Sequence, residues 1–235
     1  IDQAKHRVPV YVGTGCVTTK ETVALTRKAA ELKADCASVV SPWFAANTQD
    51  GLYRHYKAVA EAAQIPVLIY NMPARTGVNV HYTTMQKLGQ IENIVGIKDS
   101  SGNFANILNY INAGNKKENG KFYTLSGNDQ LIIWNLLAGG TGGIAGCANL
   151  YPKTMSSIYD LFMEGKIEEA KAANASIASF RACFKYGNPN TIVKTAVRLL
   201  GYEVGPCRAP FNQVPEEGIK ALKKVLAENE AKGMH

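Results

Sequence analysis

Two side chains in this sequence are placed to do carbonyl chemistry. Lys98 closes the apolar run Ile94-Val95-Gly96-Ile97 and is followed at once by Asp99-Ser100-Ser101-Gly102-Asn103. A short apolar run bounded by turn residues reads as a strand buried on both faces, so a lysine at its last position points into a pocket or pairs with a neighbour such as Asp99. Desolvation disfavours the charged form of an amine, and a neutral amine attacks carbonyl carbon, which makes Schiff-base formation the natural chemistry. A lone strand-end lysine more often snorkels to water. A second segment changes the balance. Ile65-Pro66-Val67-Leu68-Ile69 is another short buried strand, and it runs into Tyr70-Asn71-Met72-Pro73-Ala74-Arg75-Thr76-Gly77. Each strand delivers a reactive side chain, Tyr70 or Lys98, into a polar loop at its C-terminal end, the edge at which parallel α/β proteins bind ligands.

The elements that must hold these residues alternate along the chain. Val8 to Val12, Ala37 to Val40, the run ending at Tyr70, the run ending at Lys98, Phe122 to Leu125 and a stretch containing Ala145 read as strands. Helical periodicity follows at Thr19 to Leu32, Gln49 to Ala63, Thr83 to Leu88, Ala105 to Ile111 and Leu131 to Leu137. Repeated βα units with short loops imply an all-parallel sheet, either a closed barrel or a doubly wound sheet; periodicity does not separate the two. From Tyr151 the strands stop. The remainder reads as helices broken at Gly187-Asn188-Pro189 and Gly205-Pro206. We therefore divide the chain into 1–150, the βα units, and 151–235, helices packed on the same domain.

Composition narrows the function classes. The chain has 235 residues, 46% hydrophobic and 19% charged, enough for one sizeable core and too little charge for disorder. No apolar run reaches membrane-spanning length and the first residues lack the form of a secretory signal, so no membrane partner is expected. Five scattered cysteines without a C-x-x-C pair suit reduced thiols and a cytoplasmic setting. The net charge of +7 is spread along helices without interleaved aromatic residues, which argues for a solvated basic surface and against nucleic acid. His6, His55, His81 and His235 show no metal-ligand spacing, and Gly140-x-Gly142-x-x-Ala145 fits a dinucleotide fingerprint only in part and in the wrong place. Neither a metal nor a cofactor is expected.

Three motifs, Tyr70-Asn71-x-Pro73-x-x-Thr76-Gly77, Gly96-Ile97-Lys98-Asp99-Ser100-Ser101-Gly102 and Gly139-Gly140-x-Gly142-x-Ile144-x-x-x-x-Asn149, stand in an order that resembles the dihydrodipicolinate synthase and N-acetylneuraminate lyase family. The resemblance runs from Val8 to about Phe211. It implies a (β/α)8 TIM barrel with a C-terminal helical extension, assembled as a homotetramer or homodimer. Family members begin with two further βα units and a Gly-Thr-Thr-Gly-Glu type loop that holds the pyruvate carboxylate, and nothing here matches that loop. The chain is therefore expected to carry units three to eight, with either a longer natural protein or a front absent from this sequence. A six-unit piece would otherwise leave two open sheet edges.

Carried over residue by residue, the resemblance implies that Lys98 forms the imine with pyruvate and Tyr70 shuttles protons. Gly127, Asn128 and Ile144 line the pocket, beside Thr76 and Phe44. Arg75 occupies the position at which dihydrodipicolinate synthases grip the carboxylate of aspartate semialdehyde, although a surface arginine in a loop has the same appearance. Phe44 stands where those enzymes carry a tyrosine whose hydroxyl enters the neighbouring subunit, and phenylalanine cannot pass a proton. Either the relay is shorter here or the second substrate differs. Val17 likewise replaces the polar amide expected at the lysine-feedback site. The expected function is condensation of pyruvate with an aldehyde, best matched by 4-hydroxy-tetrahydrodipicolinate synthase. The alternatives are a 2-keto-3-deoxy sugar acid, N-acetylneuraminate or 4-hydroxy-2-oxoglutarate aldolase, or a non-catalytic barrel subunit.

Overall fold

The computed structural model describes residues 1–118, 120–211 and 213–235. Strands and helices alternate through the first part: β1 (Tyr11–Gly13), α1 (Thr19–Glu31), β2 (Cys36–Val40), α2 (Gln49–Ala62), β3 (Val67–Asn71), α3 (Pro73–Thr76), α4 (Tyr82–Gly89), β4 (Ile94–Asp99), α5 (Phe104–Gly114), β5 (Tyr123–Ser126), α6 (Ile132–Leu137) and β6 (Gly142–Gly143). Helices follow: α7 (Pro152–Met163), α8 (Ile167–Ser176), α9 (Ala178–Arg181), α10 (Pro189–Leu199) and α11 (Glu216–Ala231). The chain divides into two units, Ile1–Ile144 and Ala145–His235. Among the described residues no helix is long and apolar enough to cross a membrane.

The first unit is a six-stranded sheet in the order β1-β2-β3-β4-β5-β6, every neighbouring pair parallel. The strands follow one another without the order reversal that defines a doubly wound sheet. β3 and β4 are covered on both faces, which is why their sequences are nearly unbroken apolar runs. Leu52, Tyr56 and Val59 of α2 and Met85 and Leu88 of α4 pack with Val67, Ile69, Ile94 and Ile97 in one core, all of them fully buried. Each such aliphatic side chain contributes about 1.5–3 kcal/mol relative to an exposed one. Side-chain caps fix where helices start. Thr18 Oγ1 accepts from the Glu21 amide at 3.2 Å and donates to the Glu21 carboxylate at 2.7 Å, while Thr48 Oγ1 and Asn103 Oδ1 cap α2 and α5 by accepting from the Gly51 and Ala105 amides.

Four local departures from the sequence reading have physical causes. β1 begins at Tyr11 rather than Val8: the Val10 amide is taken by the Asp35 carboxylate at 2.7 Å, while the Val10 carbonyl still accepts from the Asp35 amide at 3.1 Å. The segment after β3 is a short helix, with Pro73 in its first turn and Gly77 closing it in the left-handed region at φ +72°. β4 continues through Asp99, so Lys98 is its penultimate residue. The last strand is only Gly142–Gly143, although Ile144 extends the ladder by donating to the Ser126 carbonyl at 2.9 Å, and Ala145 instead leads into a 3-10 turn.

The second unit holds together through its own core. Tyr151, Phe180 and Phe184 meet edge to face with centroids 5.9 and 5.7 Å apart. Asn229 of α11, fully buried, donates to the Tyr151 hydroxyl at 3.0 Å.

Candidate active site

Strand register brings the two reactive side chains together. Tyr70 of β3 is paired with Lys98 of β4, and Lys98 in turn with Leu125 of β5. Residues paired across parallel strands project from the same face, and Lys98 Nζ stands 4.0 Å from the centroid of the Tyr70 ring. Both residues are half-buried, so the lysine is less enclosed than its place in an apolar strand suggests. Nor does it pair with Asp99, which the pleat turns to the opposite face and buries completely. Among the described residues the Lys98 amine has no hydrogen-bond acceptor and no carboxylate partner. The Tyr70 hydroxyl donates to Met72 Sδ at 3.0 Å and accepts from Ser100 Oγ at 3.5 Å.

The floor under the amine is shaped by Gly127. A methyl group there would lie 2.9 Å from Lys98 Cε and would overlap Ser100 Oγ, so any larger residue would have to displace both side chains from where they stand. Ser126 holds the turn, its hydroxyl donating to the Asn128 carbonyl at 2.9 Å and accepting from the Asn128 amide at 3.2 Å. The Asn128 side chain is spent on the Gln130 amide at 3.2 Å. Ile144, half-buried, sits one residue beyond β6 on the same rim.

A polar brace lies beneath this edge, and sequence reading did not anticipate it. Asn71 Nδ2 donates to Asp99 Oδ1 at 2.7 Å and to Asn79 Oδ1 at 2.8 Å, while Asn71 Oδ1 accepts from the Val80 amide at 3.1 Å. Ser101 Oγ donates to Asp99 Oδ2 at 2.7 Å, and Asn106 Nδ2 reaches both Asn79 Oδ1 and Ser101 Oγ. Burial pushes the Asp99 carboxyl upward, opposed by the bonds from Ser101 and Asn71. The brace joins the tips of β3 and β4 to the loop before α4. Its only trace in the sequence is that both strands end in a polar residue, Asn71 or Asp99.

The remaining expected residues separate into three situations. Thr76 is buried and spends its hydroxyl on its own loop, within donating reach of the Val78 carbonyl at 3.0 Å and the Met72 carbonyl at 3.2 Å, one of which takes its single proton. Arg75, on α3, is exposed and has no ion pair among the described residues. Phe44 lies outside the cluster: its side chain is 97% exposed and its backbone has φ +80°, a region that an aromatic residue enters only under strain. Ser100 and Met72, which touch the Tyr70 hydroxyl, are additions to the expected set.

The profile described as "Dihydrodipicolinate synthetase family" matches residues 1–229. The 4-hydroxy-tetrahydrodipicolinate synthase of Syntrophus aciditrophicus is 39% identical over 227 residues, spanning 96% of this chain and 76% of that relative. Among solved structures, the chloride-inhibited dihydrodipicolinate synthase of Acinetobacter baumannii complexed with pyruvate superposes with a TM-score of 0.92 at 35% identity, covering 98% of this chain and 78% of its own. The dihydrodipicolinate synthase of Thermotoga maritima gives 0.93 at 29% identity, covering 97% and 78%.

Proposed function

The chain belongs to the dihydrodipicolinate synthetase family, and we propose that it condenses pyruvate with aspartate semialdehyde as a 4-hydroxy-tetrahydrodipicolinate synthase, a lyase of the class I aldolase type. The observation that carries this reading is the unpartnered Lys98 amine set 4.0 Å over the Tyr70 ring at the C-terminal edge of the sheet. The Lys98 amine adds its lone pair to C2 of pyruvate to give a carbinolamine, and a proton delivered by the Tyr70 hydroxyl to the carbinolamine oxygen lets it leave as water, so that the nitrogen lone pair closes a protonated imine. That cation is an electron sink; C3 gives up a proton, and the enamine attacks the aldehyde carbon. Tyr70, whose hydroxyl already bridges Ser100 and Met72, passes protons at the addition and carbon-carbon bond steps. Arg75, free of any competing carboxylate, grips the carboxylate of the aldehyde substrate. Gly127, Asn128, Thr76 and Ile144 shape the rim.

The same reading takes β1 to β6 as strands three to eight of a (β/α)8 barrel, with 1–150 as barrel units and 151–235 as the helical extension. Sequential parallel order supports it, as does a chain that spans about three quarters of its relatives' length, 76% in one case. A bare aromatic ring at Phe44 supports assembly as a homodimer or homotetramer, and the five free cysteines suit a cytoplasmic setting.

One observation favours a second reading. Phe44 has no hydroxyl, and the Tyr70 hydroxyl meets Ser100 instead, a relay that would also serve a 2-keto-3-deoxy sugar acid aldolase. Two measurements decide. Borohydride reduction with pyruvate should leave a mass adduct on Lys98; an unmodified protein would favour a non-catalytic subunit. A coupled assay should then form product with aspartate semialdehyde, whereas an adduct without that product, together with cleavage of a sugar acid, would transfer the assignment to the aldolases.

A further inference from the structure

In the second unit, α10 and the segment leading into α11 enclose a cavity of about 270 Å³ that no residue of the proposed mechanism lines. One wall is a single face of α10, with Thr191, Lys194 and Arg198 recurring at helical spacing. The opposing wall is mostly apolar, with Pro206, Phe211, Val214 and Ile219 beside Cys207 and one amide, Gln213. Among the described residues no carboxylate lines the cavity, and neither Lys194 nor Arg198 forms an ion pair. Like charges one turn apart on a helix repel, so this face carries a cost that an anion would relieve. Lys194 Nζ reaches only the Pro206 carbonyl, at 3.4 Å, which ties helix to loop without neutralising the charge. Beside them Thr191, 5% exposed, buries its hydroxyl oxygen with no hydrogen-bond partner. Native proteins leave few such groups, because an unmade buried hydrogen bond is destabilising.

We propose that this cavity is a binding site for a small organic carboxylate with an apolar side. The carboxylate lies between Lys194 and Arg198, whose guanidinium can donate two parallel hydrogen bonds, and the apolar part covers Pro206, Val214 and Ile219. An inorganic anion would satisfy the two cations and leave the apolar wall bare. The cavity's size, close to the lower end of the roughly 300–1,000 Å³ typical of ligand sites, suits a molecule no larger than an aromatic or branched acid.

Cys207, half-buried in the same wall, supplies a reporter, and Cys16, half-buried in the first unit, an internal reference. Alkylation of both thiols by iodoacetamide is followed by peptide mass spectrometry on the full chain, with 3-phenylpropionate as the probe. At a probe concentration about four times its Kd, the Cys207 rate should fall about fivefold while the Cys16 rate stays constant. The uncharged 3-phenylpropanamide should not protect, and K194Q and R198Q, both changes at exposed positions, should abolish protection. The proposal is overturned by any of the following results: no protection, equal protection by the amide, equal slowing of Cys16, protection by acetate or inorganic phosphate as strong as by phenylpropionate, or protection that survives both substitutions.

Discussion

Lys98 and Lys117 stand near opposite ends of β4, both half-buried, and they are held in opposite ways. Lys117 Nζ donates to three backbone carbonyls, those of Gly89 at 2.8 Å, Ile91 at 3.0 Å and Ile94 at 3.2 Å. Burial lowers its pKa, with the Glu92 carboxylate opposing. Losing that proton would also weaken its hold on three carbonyls, so the group is a structural cation. Lys98 faces a ring and holds nothing. Exposure does not distinguish the two; the absence of obligations does. An amine whose N–H groups no carbonyl or carboxylate has claimed is the one left to meet a substrate.

The comparison can be broken most directly by substitution at the two positions. K98A should abolish the borohydride-trapped pyruvate adduct and lower kcat/KM by roughly 10⁴-fold or more, whereas K117A should keep both. An adduct on Lys117, or one persisting in K98A, would dissolve the distinction. Y70F should cost about 10²–10³-fold in kcat/KM, since it removes the proton-passing hydroxyl while leaving the ring beneath the amine; rates within threefold of the parent, about the effect of a lost packing contact, would remove Tyr70 from the chemistry.

Stability measurements sharpen the same contrast. His55 is an intermediate case, 4% exposed, with Nδ1 bonded to Thr19 Oγ1 at 2.9 Å and Nε2 buried without a partner. Burial pulls its pKa from 6.5 down to about 4. The unfolded chain therefore takes up a proton in that window that the folded chain refuses, and stability should fall as pH drops from about 6.5 to 4, by about 3 kcal/mol at most. Urea titrations at several pH values should show the slope, and H55L should flatten it; an unchanged slope in H55L would mean another group titrates there. K117A should lose about 1–3 kcal/mol of stability from three carbonyls left short of a donor, and the smallest effect on stability should come from K98A, almost none.

How much of this was legible beforehand depends on the scale of the signal. Lys98 and Tyr70 stood out because unbroken apolar runs mark covered parallel strands, and whatever terminates such a run lies at the ligand edge. The brace of Asn71, Asp99, Ser101 and Asn106 was not legible. Polar residues at strand ends look like ordinary turn chemistry, and which of them meet is decided by register, here Asn71 opposite Asp99. β6 was misplaced because two glycines carry no side-chain pattern, and β1 was drawn too early because Val8 and Val10 alternate like a strand while Asp35 intercepts the Val10 amide. For Phe44 the sequence marked the missing hydroxyl, while its strained backbone and uncovered ring depend on how the loop folds.

Asn71 has one more consequence, for motion. A single amide group clamps the tip of β3 to that of β4 and to the chain at Asn79 and Val80. The amine and phenol positions should then breathe as one body. Deuterium uptake at the Val80 amide, gated by release of Asn71 Oδ1, would time that breathing, and rapid labelling there would mean that the two reactive groups drift independently.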